Sequence, residues 1–186
     1  VRFFGGVGIE GLDVDDASLV SQAYERGVPM GGDLLPTGET APSFIVWAMR
    51  DPLAAPLQRV QVVKGWVDEG TTQEMVYDVA CSDGLTVDAE THQCPDNGAG
   101  VDLDTCAISD GVGAAELKTI WSDPDFDPSA RAFYYLRVLE NPTCRWSTWD
   151  ALRAGVEPRL DVAATIQERA WSSPIWYTPA VKTAGR

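Results

Sequence analysis

The chain has 186 residues, of which 45% are hydrophobic and 23% are charged, and this composition is typical of a globular domain. Its 28 acidic residues outnumber its 14 Lys and Arg residues, which gives a net charge of −14. That charge argues against nucleic acid and anionic membranes as partners, because both are bound through basic residues. The sequence has no apolar run long enough to cross a bilayer, and its single histidine, His92, excludes histidine-rich metal centres.

The N-terminal segment combines an apolar run with a helix. Residues 1–4 have the pattern of a β-strand and no start methionine precedes them, so we expect an upstream domain before this chain. The apolar residues that follow recur at helical spacing, with Asp15 or Asp16 as the cap and Gly27 as the end of the helix. We therefore interpret residues 1–40 as the tail of a missing upstream domain.

Several later segments have the pattern of β-strands. The apolar or alternating runs cover residues 44–49, 59–67, 74–80, 115–121 and 132–139. A turn at residues 68–70 predicts a hairpin. A short helix is expected over residues 147–153, capped by Ser147 and followed by Gly155. A last ragged strand covers residues 165–177. Consecutive strands with little helix between them predict a mainly β fold: an antiparallel β-sandwich with one N-terminal helix and one short helix near residue 150.

The four cysteines, Cys81, Cys94, Cys106 and Cys144, contain no C-x-x-C pair and do not resemble a zinc site. Four cysteines allow three disulfide connectivities. Residues 81–106 are rich in Gly, Asp, Thr and Pro and are not held by apolar burial, so we predict that Cys81–Cys94 and Cys106–Cys144 pair and staple this loop. The alternative is four buried reduced thiols in a cytosolic protein. Disulfides indicate an exported protein, periplasmic or extracellular.

Two segments imitate binding motifs without their structural context. Residues 6–11 match the G-x-G-x-x-G of dinucleotide-binding folds, but there the helix begins at the glycines, whereas here it begins near Asp15. Asp123, Asp125 and Asp127 alternate as calcium ligands do, but prolines interrupt them and the Gly and Glu of an EF-hand are missing. We interpret the first segment as a loop and the second as a solvated turn.

The remaining candidates have a structural explanation beside the functional one. His92 lies in the predicted loop without a positioned carboxylate, so we expect an exposed side chain and not a catalytic relay. The seven tryptophans are expected to fill the sandwich core, the alternative being a sugar-binding platform. Arg137, Glu168 and Arg169 lie in apolar strands and are expected to form ion pairs, the alternative being an arginine that faces a phosphate or carboxylate ligand. No catalytic, cofactor-binding or metal-binding residue is predicted.

Several segments together resemble the C-terminal portion of one bacterial family, called domain of unknown function 3604. The resemblance covers nearly the whole chain, and its last segment is the most specific. The segments are GVPMGGD (27–33), KGW (64–66), DPDFD (123–127), AFYYLRVLE (132–140), RWS (145–147) and QERAWSSPIWY (167–177). The resemblance implies that full-length members are much longer than this chain and often exported.

What precedes these segments in the family resembles the polymerase-and-histidinol-phosphatase (PHP) type of metal-dependent phosphoesterase. This implies a divalent metal held by His and Asp in the upstream domain. The present chain has no His-x-His motif, so metal ligation transfers to none of its residues and it needs no cofactor of its own. The resemblance implies that residues 1–40 end a hydrolase-like domain and that residues 41–186 form an appended β-sandwich with a stapled loop at 81–106.

We therefore expect a non-catalytic C-terminal accessory β-domain of a PHP-like metal-dependent hydrolase or phosphoesterase of unknown substrate. Its expected partner is the upstream domain, and the surface that truncation exposes is expected to favour an oligomer. Asp33, which follows two glycines that allow close backbone approach, and Arg145 are the residues expected to line the hydrolase cleft. The alternative function is a carbohydrate- or partner-binding β-sandwich module.

Overall fold

The computed structural model describes residues 1–35 and 38–180, so the last six residues of the predicted sandwich domain lie outside it. Neither helix in these ranges is long and apolar enough to cross a membrane. The elements follow in the order β1 (Arg2–Gly6), α1 (Leu19–Arg26), β2 (Val28–Pro29), β3 (Asp33–Leu34), β4 (Ser43–Met49), β5 (Leu57–Asp68), β6 (Thr71–Cys81), β7 (Glu116–Ser122), β8 (Ala132–Glu140), β9 (Thr143–Cys144), α2 (Trp146–Ala154), β10 (Thr165–Ile166), β11 (Arg169–Trp171) and β12 (Ile175–Tyr177).

Two sheets pack face to face. The first has the strand order β2-β1-β4-β7, and the second has the order β3-β12-β8-β5-β6 with β11 also paired to β8. Strands β9 and β10 form a separate two-stranded ribbon. The described pairings are antiparallel except that of β3 with β12, which is parallel. The predicted fold class, a mainly β antiparallel sandwich with two short helices, is confirmed.

The core lies between the sheets and follows from strand alternation, which sends every second side chain inward. Phe3 and Phe44 of the first sheet meet Tyr134 and Leu136 of the second, and all four are fully buried. The Phe44 ring centroid lies 4.6 Å from that of Tyr134 and 5.3 Å from that of Phe3. Such aromatic pairs contribute about 0.5–1.5 kcal/mol each beyond the burial of their area. The inner sheet faces therefore carry the stability of the fold.

Helix α1 covers the outer face of the four-stranded sheet. Its buried residues, Leu19 and Ala23, are four positions apart and so lie on one side of the helix. They pack against Phe4 and Ile45, which point away from the sandwich core because they alternate with core residues along β1 and β4. The helix thereby adds a third layer on this side of the molecule.

Both helices begin at residues other than those predicted from the sequence. Asp16 accepts hydrogen bonds from the Ser18 backbone N at 2.7 Å and from its Oγ at 2.8 Å, and this turn delays α1 until after Ser18. Arg145, not Ser147, occupies the position before α2. Ser147 is buried instead, and its Oγ has no hydrogen-bond partner among the described residues. The end of α2 is as predicted, since Gly155 adopts the left-handed conformation with φ of 63°.

The N-terminal residues are built into the sandwich. Strand β1 pairs with β4 along its whole length, from Arg2 opposite Trp47 to Gly6 opposite Ser43. Strand β3 pairs with β12 at the other end of the chain. The boundary predicted at residue 40 therefore does not coincide with a break in the sheets, because strands on its two sides share backbone hydrogen bonds.

Both predicted disulfides are present, Cys81–Cys94 and Cys106–Cys144. The loop between β6 and β7 is held by these bonds and by polar contacts: Asp83 accepts from the Gly113 backbone N at 2.8 Å, and the Asn97 side-chain amide donates to Asn141 Oδ1 at 3.0 Å. His92 of this loop was expected to be exposed, but it is half-buried, with its ring 5.1 Å from that of Tyr77. Covalent and polar links thus replace the apolar burial that the loop composition lacks.

Loss of the Cys106–Cys144 disulfide is expected to destabilise the domain more than loss of Cys81–Cys94, because it closes the longer segment, 38 residues against 13. Chain-entropy arguments give losses of about 4 kcal/mol and about 3 kcal/mol. Urea unfolding of the two double Cys→Ser variants measures both values. A larger loss for the shorter segment would contradict the entropic explanation.

Candidate functional site

The outer face of the six-stranded sheet carries side chains suited to binding. The strand register places Asp33, Trp176, Phe133, Gly65 and Glu74 in one row across β3, β12, β8, β5 and β6. Neighbouring strands are about 4.8 Å apart, so this row spans about 19 Å. Aromatic side chains occupy the middle of the row, and a carboxylate stands at each end.

Four aromatic side chains, Trp176, Phe133, Tyr135 and Trp171, form what we call the aromatic face. Trp171 is 57% exposed and Trp176 47% exposed, while the other two are half-buried. The Phe133 ring centroid lies 5.3 Å from that of Trp176 and 6.3 Å from that of Tyr135, whose ring is nearly parallel to it. Trp171 lies opposite Arg137 on β8 and so extends the same face. The aromatic face is an apolar patch open to solvent.

Gly65 allows Phe133 to lie directly on the sheet. A Cβ atom at this position would lie 2.3 Å from Phe133 Cζ, which is closer than non-bonded carbon atoms approach each other. Beside the ring opens a cavity of about 510 Å³, with Glu74, Arg131 and Thr178 among its lining residues. An apolar floor with a few polar groups at the rim is the usual composition of a binding pocket.

The opposite end of this sheet face is polar and contains arginines. Arg137 Nε donates to Gln61 Oε1 at 2.6 Å, and Gln61 Nε2 donates to Asp78 Oδ1 at 2.6 Å. Asp78 is buried and also accepts from the Cys94 backbone N at 2.7 Å. The ion pair expected for Arg137 does not form among the described residues; a glutamine takes the place of the carboxylate.

The two residues expected to line the hydrolase cleft, Asp33 and Arg145, lie far apart. Asp33 is exposed at the edge of the row that contains Trp176. Arg145 lines a different cavity, of about 380 Å³, together with Arg169. Arg169 pairs with a position on β8 six residues beyond that of the Asp33 row, which is about 20 Å along the strand. The structure therefore does not bring the two expected residues into one cavity.

The tryptophans do not fill the core, and that expectation is wrong. None of the seven is fully buried: three are exposed, Trp146, Trp171 and Trp176, and the others are half-buried. Trp66 and Trp121 pack against the core from its margin. The large interior positions are taken instead by tyrosine and phenylalanine rings, among them Tyr77, Tyr134 and Phe44.

One end of the sandwich is closed by a buried ion pair. Lys64 Nζ lies 2.6 Å from Asp123 Oδ2 and donates to the Asp125 backbone O at 2.6 Å. The Lys64 and Asp123 side chains are only 6% and 0% exposed. Tyr134 OH donates to Asp123 Oδ2 at 2.7 Å, and Tyr77 OH donates to Asp125 Oδ2 at 2.8 Å. Asp127 Oδ1 accepts from the Ser129 backbone N at 2.8 Å, so all three alternating aspartates bind groups of this chain. Within residues 1–35 and 38–180, no cluster of His, Cys, Asp and Glu is arranged to hold a metal ion.

The environment of this ion pair keeps two phenols protonated. Burial, and then the negative charge of Asp123, raise the pKa of Tyr134 far above the ordinary value of 10. Burial and the hydrogen bond to Asp125 raise the pKa of Tyr77 in the same direction. Ionisation of either phenol would place a second negative charge beside a carboxylate, so both remain hydrogen-bond donors.

The free energy of unfolding is expected to fall as the pH rises above about 10. Above that pH, Tyr134 loses its proton in the unfolded chain but keeps it in the folded chain. This group contributes a slope of about −1.4 kcal/mol per pH unit in that range. Tyr134→Phe should remove that part of the slope in urea unfolding measured at a series of alkaline pH values. Tyr24→Phe, at a ring that is 63% exposed, is the control and should leave the slope unchanged. An equal slope in Tyr134→Phe and the unmodified chain would contradict this explanation.

Comparison with known proteins gives one match. A family model described as "Protein of unknown function (DUF3604)" matches residues 1–179. No curated protein and no solved structure matches the chain. The matched range extends from before β1 to beyond β12 and so includes the buried Lys64–Asp123 pair and the aromatic face. The resemblance proposed from the sequence segments is confirmed, and the chain belongs to the DUF3604 family.

Proposed function

We propose that this domain cleaves no bond itself and serves as the accessory β-domain of a PHP-like metal-dependent hydrolase, onto which it packs through its aromatic face. The observation that carries the proposal is the solvent-open row of Trp176 and Phe133 with the cavity of about 510 Å³ beside it. Large exposed apolar patches on globular proteins mark binding surfaces. The proposed occupant is the hydrolase domain of the same polypeptide.

The composition of the aromatic face supports a protein partner. The centres of protein interfaces are enriched in Trp, Tyr, Phe and Arg, and polar groups surround them. Here the indole and phenyl groups of Trp176 and Phe133 stand in the middle, with Asp33 and Glu74 at the two ends of the row. A cavity of this size accepts a bulky side chain from a facing surface, which is how interface anchors bind.

The position of Asp33 supports the same arrangement. It lies at the edge of the sheet face beside Trp176, so it would stand at the rim of the contact and not beneath it. The preceding turn is fixed, because Gly31, with φ of 89°, donates its backbone N to Pro174 O at 2.8 Å. From a fixed rim position a carboxylate reaches into the neighbouring domain. Export of the protein is part of this proposal, and the two disulfides are compatible with an extracellular location.

In a polypeptide that carries both domains, Trp176→Ala is expected to uncouple them, because it removes the most exposed ring of the row. Calorimetry should then resolve two unfolding transitions where the unmodified protein has one. Trp146→Ala removes an indole that is 69% exposed on α2, which is not part of the row, and should leave the single transition unchanged. In the isolated chain, Trp176→Ala should change the unfolding midpoint little, which separates docking from folding. A single transition in the two-domain Trp176→Ala protein would contradict the proposal.

Carbohydrate binding is the second candidate, and one observation favours it: two exposed indoles, Trp171 and Trp176, project from one sheet face. Sugar rings stack on such platforms, and carboxylates such as Asp33 and Glu74 accept hydrogen bonds from their hydroxyl groups.

If this second candidate is right, titration of the isolated chain with soluble oligosaccharides should change its tryptophan fluorescence saturably. Trp176→Ala should abolish the change, and Trp146→Ala should retain it. No response to any oligosaccharide would leave domain docking as the function of this face.

A further inference from the structure

The arginine end of the outer sheet face lies beyond the row of Trp176 and Phe133 and has a different chemistry. Four arginines lie there: Arg59, Arg137, Arg145 and Arg169. The chain contains 28 acidic residues and only 14 Lys and Arg residues, so a group of four arginines is unusual for its composition. We propose that Arg145 and Arg169 form a binding site for an oxyanion, in the cleft between them.

The cleft has a volume of about 380 Å³ and a mostly polar lining that includes Gln58, Arg145, Thr165, Gln167 and Arg169. Its floor is held by side-chain amides. Gln167 Nε2 donates to Gln58 Oε1 at 2.9 Å and to the Glu140 backbone O at 3.1 Å. These contacts join the segment before β11 to the sheet, so the cleft is a fixed feature of the fold.

Arg145 is held in place by bonds that leave its outer nitrogens available. Its Nε donates to the Ala163 backbone O at 3.0 Å, and its backbone N donates to Ala164 O at 2.9 Å. Thr148 Oγ1 donates to the same Ala164 oxygen at 2.7 Å, and the preceding residue is the disulfide-bonded Cys144. No partner within the described residues engages the two Nη atoms, which are the pair that binds an oxyanion side by side.

The guanidinium group of Arg169 is exposed and makes no hydrogen bond or ion pair with another described residue. The neighbouring Glu168 acts on Glu140, since burial, then Glu168 and Asp51, raise the pKa of the Glu140 carboxyl. Neither of these two glutamates forms an ion pair with Arg169 among the described residues.

The nearby carboxylate on this sheet face is already occupied. Asp78 accepts from Gln61 and from the Cys94 backbone N, and it lies 3.6 Å from Arg59 Nε. It therefore interacts with Arg59 and, through Gln61, with Arg137, and the described part of the chain forms no ion pair with Arg145 or Arg169.

A ligand that satisfies two guanidinium groups needs at least two anionic oxygens, as in a phosphate, a sulfate or a dicarboxylate. Guanidinium groups bind such oxygens in pairs and more tightly than neutral donors do. This site does not depend on the row of Trp176 and Phe133, because that row and Arg169 lie about 20 Å apart along β8. Success or failure of the domain-docking proposal therefore leaves it unaffected.

Titration of the isolated chain with inorganic phosphate, followed by calorimetry and by the backbone amide signals of Arg145 and Arg169, tests the site. The expected result is saturable binding, with Arg169→Gln weakening the affinity about tenfold or more. Arg145→Lys, which keeps the charge and loses the paired nitrogens, should weaken it as well. Arg131→Gln is the matched control: it removes one positive charge at the opposite end of the sheet face and should leave phosphate binding unchanged.

Parallel titrations with sulfate and with succinate identify which oxyanion the site prefers. Tighter binding of phosphate and sulfate assigns a tetrahedral anion, and tighter binding of succinate assigns a dicarboxylate. Absence of saturable binding for all three probes overturns the proposal. Equal weakening by Arg169→Gln and Arg131→Gln also overturns it, because the effect is then one of net charge and not of this cleft.

Discussion

A lysine charge that is buried in a β-sandwich has to be neutralised. The groups that neutralise Lys64 connect strand β5 to the segment after β7 and to β8. Asp123 lies 2.6 Å from Lys64, and Tyr134 donates to the same carboxylate. Removal of one partner of a buried ion pair costs about 3–5 kcal/mol, so this arrangement is strongly specified. Because Tyr134 must point inward to reach Asp123, its neighbours Phe133 and Tyr135 must point outward. The outward orientation of Phe133 and Tyr135 is thus coupled to the inward position of Tyr134 at the buried ion pair.

The two faces of the six-stranded sheet serve different purposes. The inner face contributes Tyr134, Leu136 and Ile175 to the core and leaves little room for functional variation, since interiors are close-packed. The outer face is only partly covered, and its chemistry changes along β8. Aromatic rings surround Phe133, and arginines lie at and beyond Arg137. The apolar end and the cationic end lie on the same sheet, and the strand register fixes the distance between them.

Local patterns predicted much of the fold. The strands near residues 44–49, 59–67 and 132–139 and the hairpin turn at 68–70 were predicted because alternation and turn residues act over a few positions. The disulfide pairing was predicted because the loop composition required staples. The tryptophan prediction failed for a physical reason: periodicity identifies the two sides of a strand but not which side is buried. In the run Ile175–Tyr177 both sides are apolar, so the pattern alone does not show that Trp176 is exposed while its two neighbours are buried.

The sequence by itself determined the fold class, the family and the absence of a His-x-His motif, because composition, period and motif are properties of neighbouring residues. Tertiary structure alone decided which residues form sites. Asp33 and Trp176 are 143 positions apart and adjacent in the sheet, whereas Asp33 and Arg145, singled out together, lie at opposite ends of it. Arg137, for which an ion pair was expected, instead donates to a glutamine, and Arg169 forms no ion pair within the described ranges. Strand register sets these distances, and register depends on the packing of the whole sandwich.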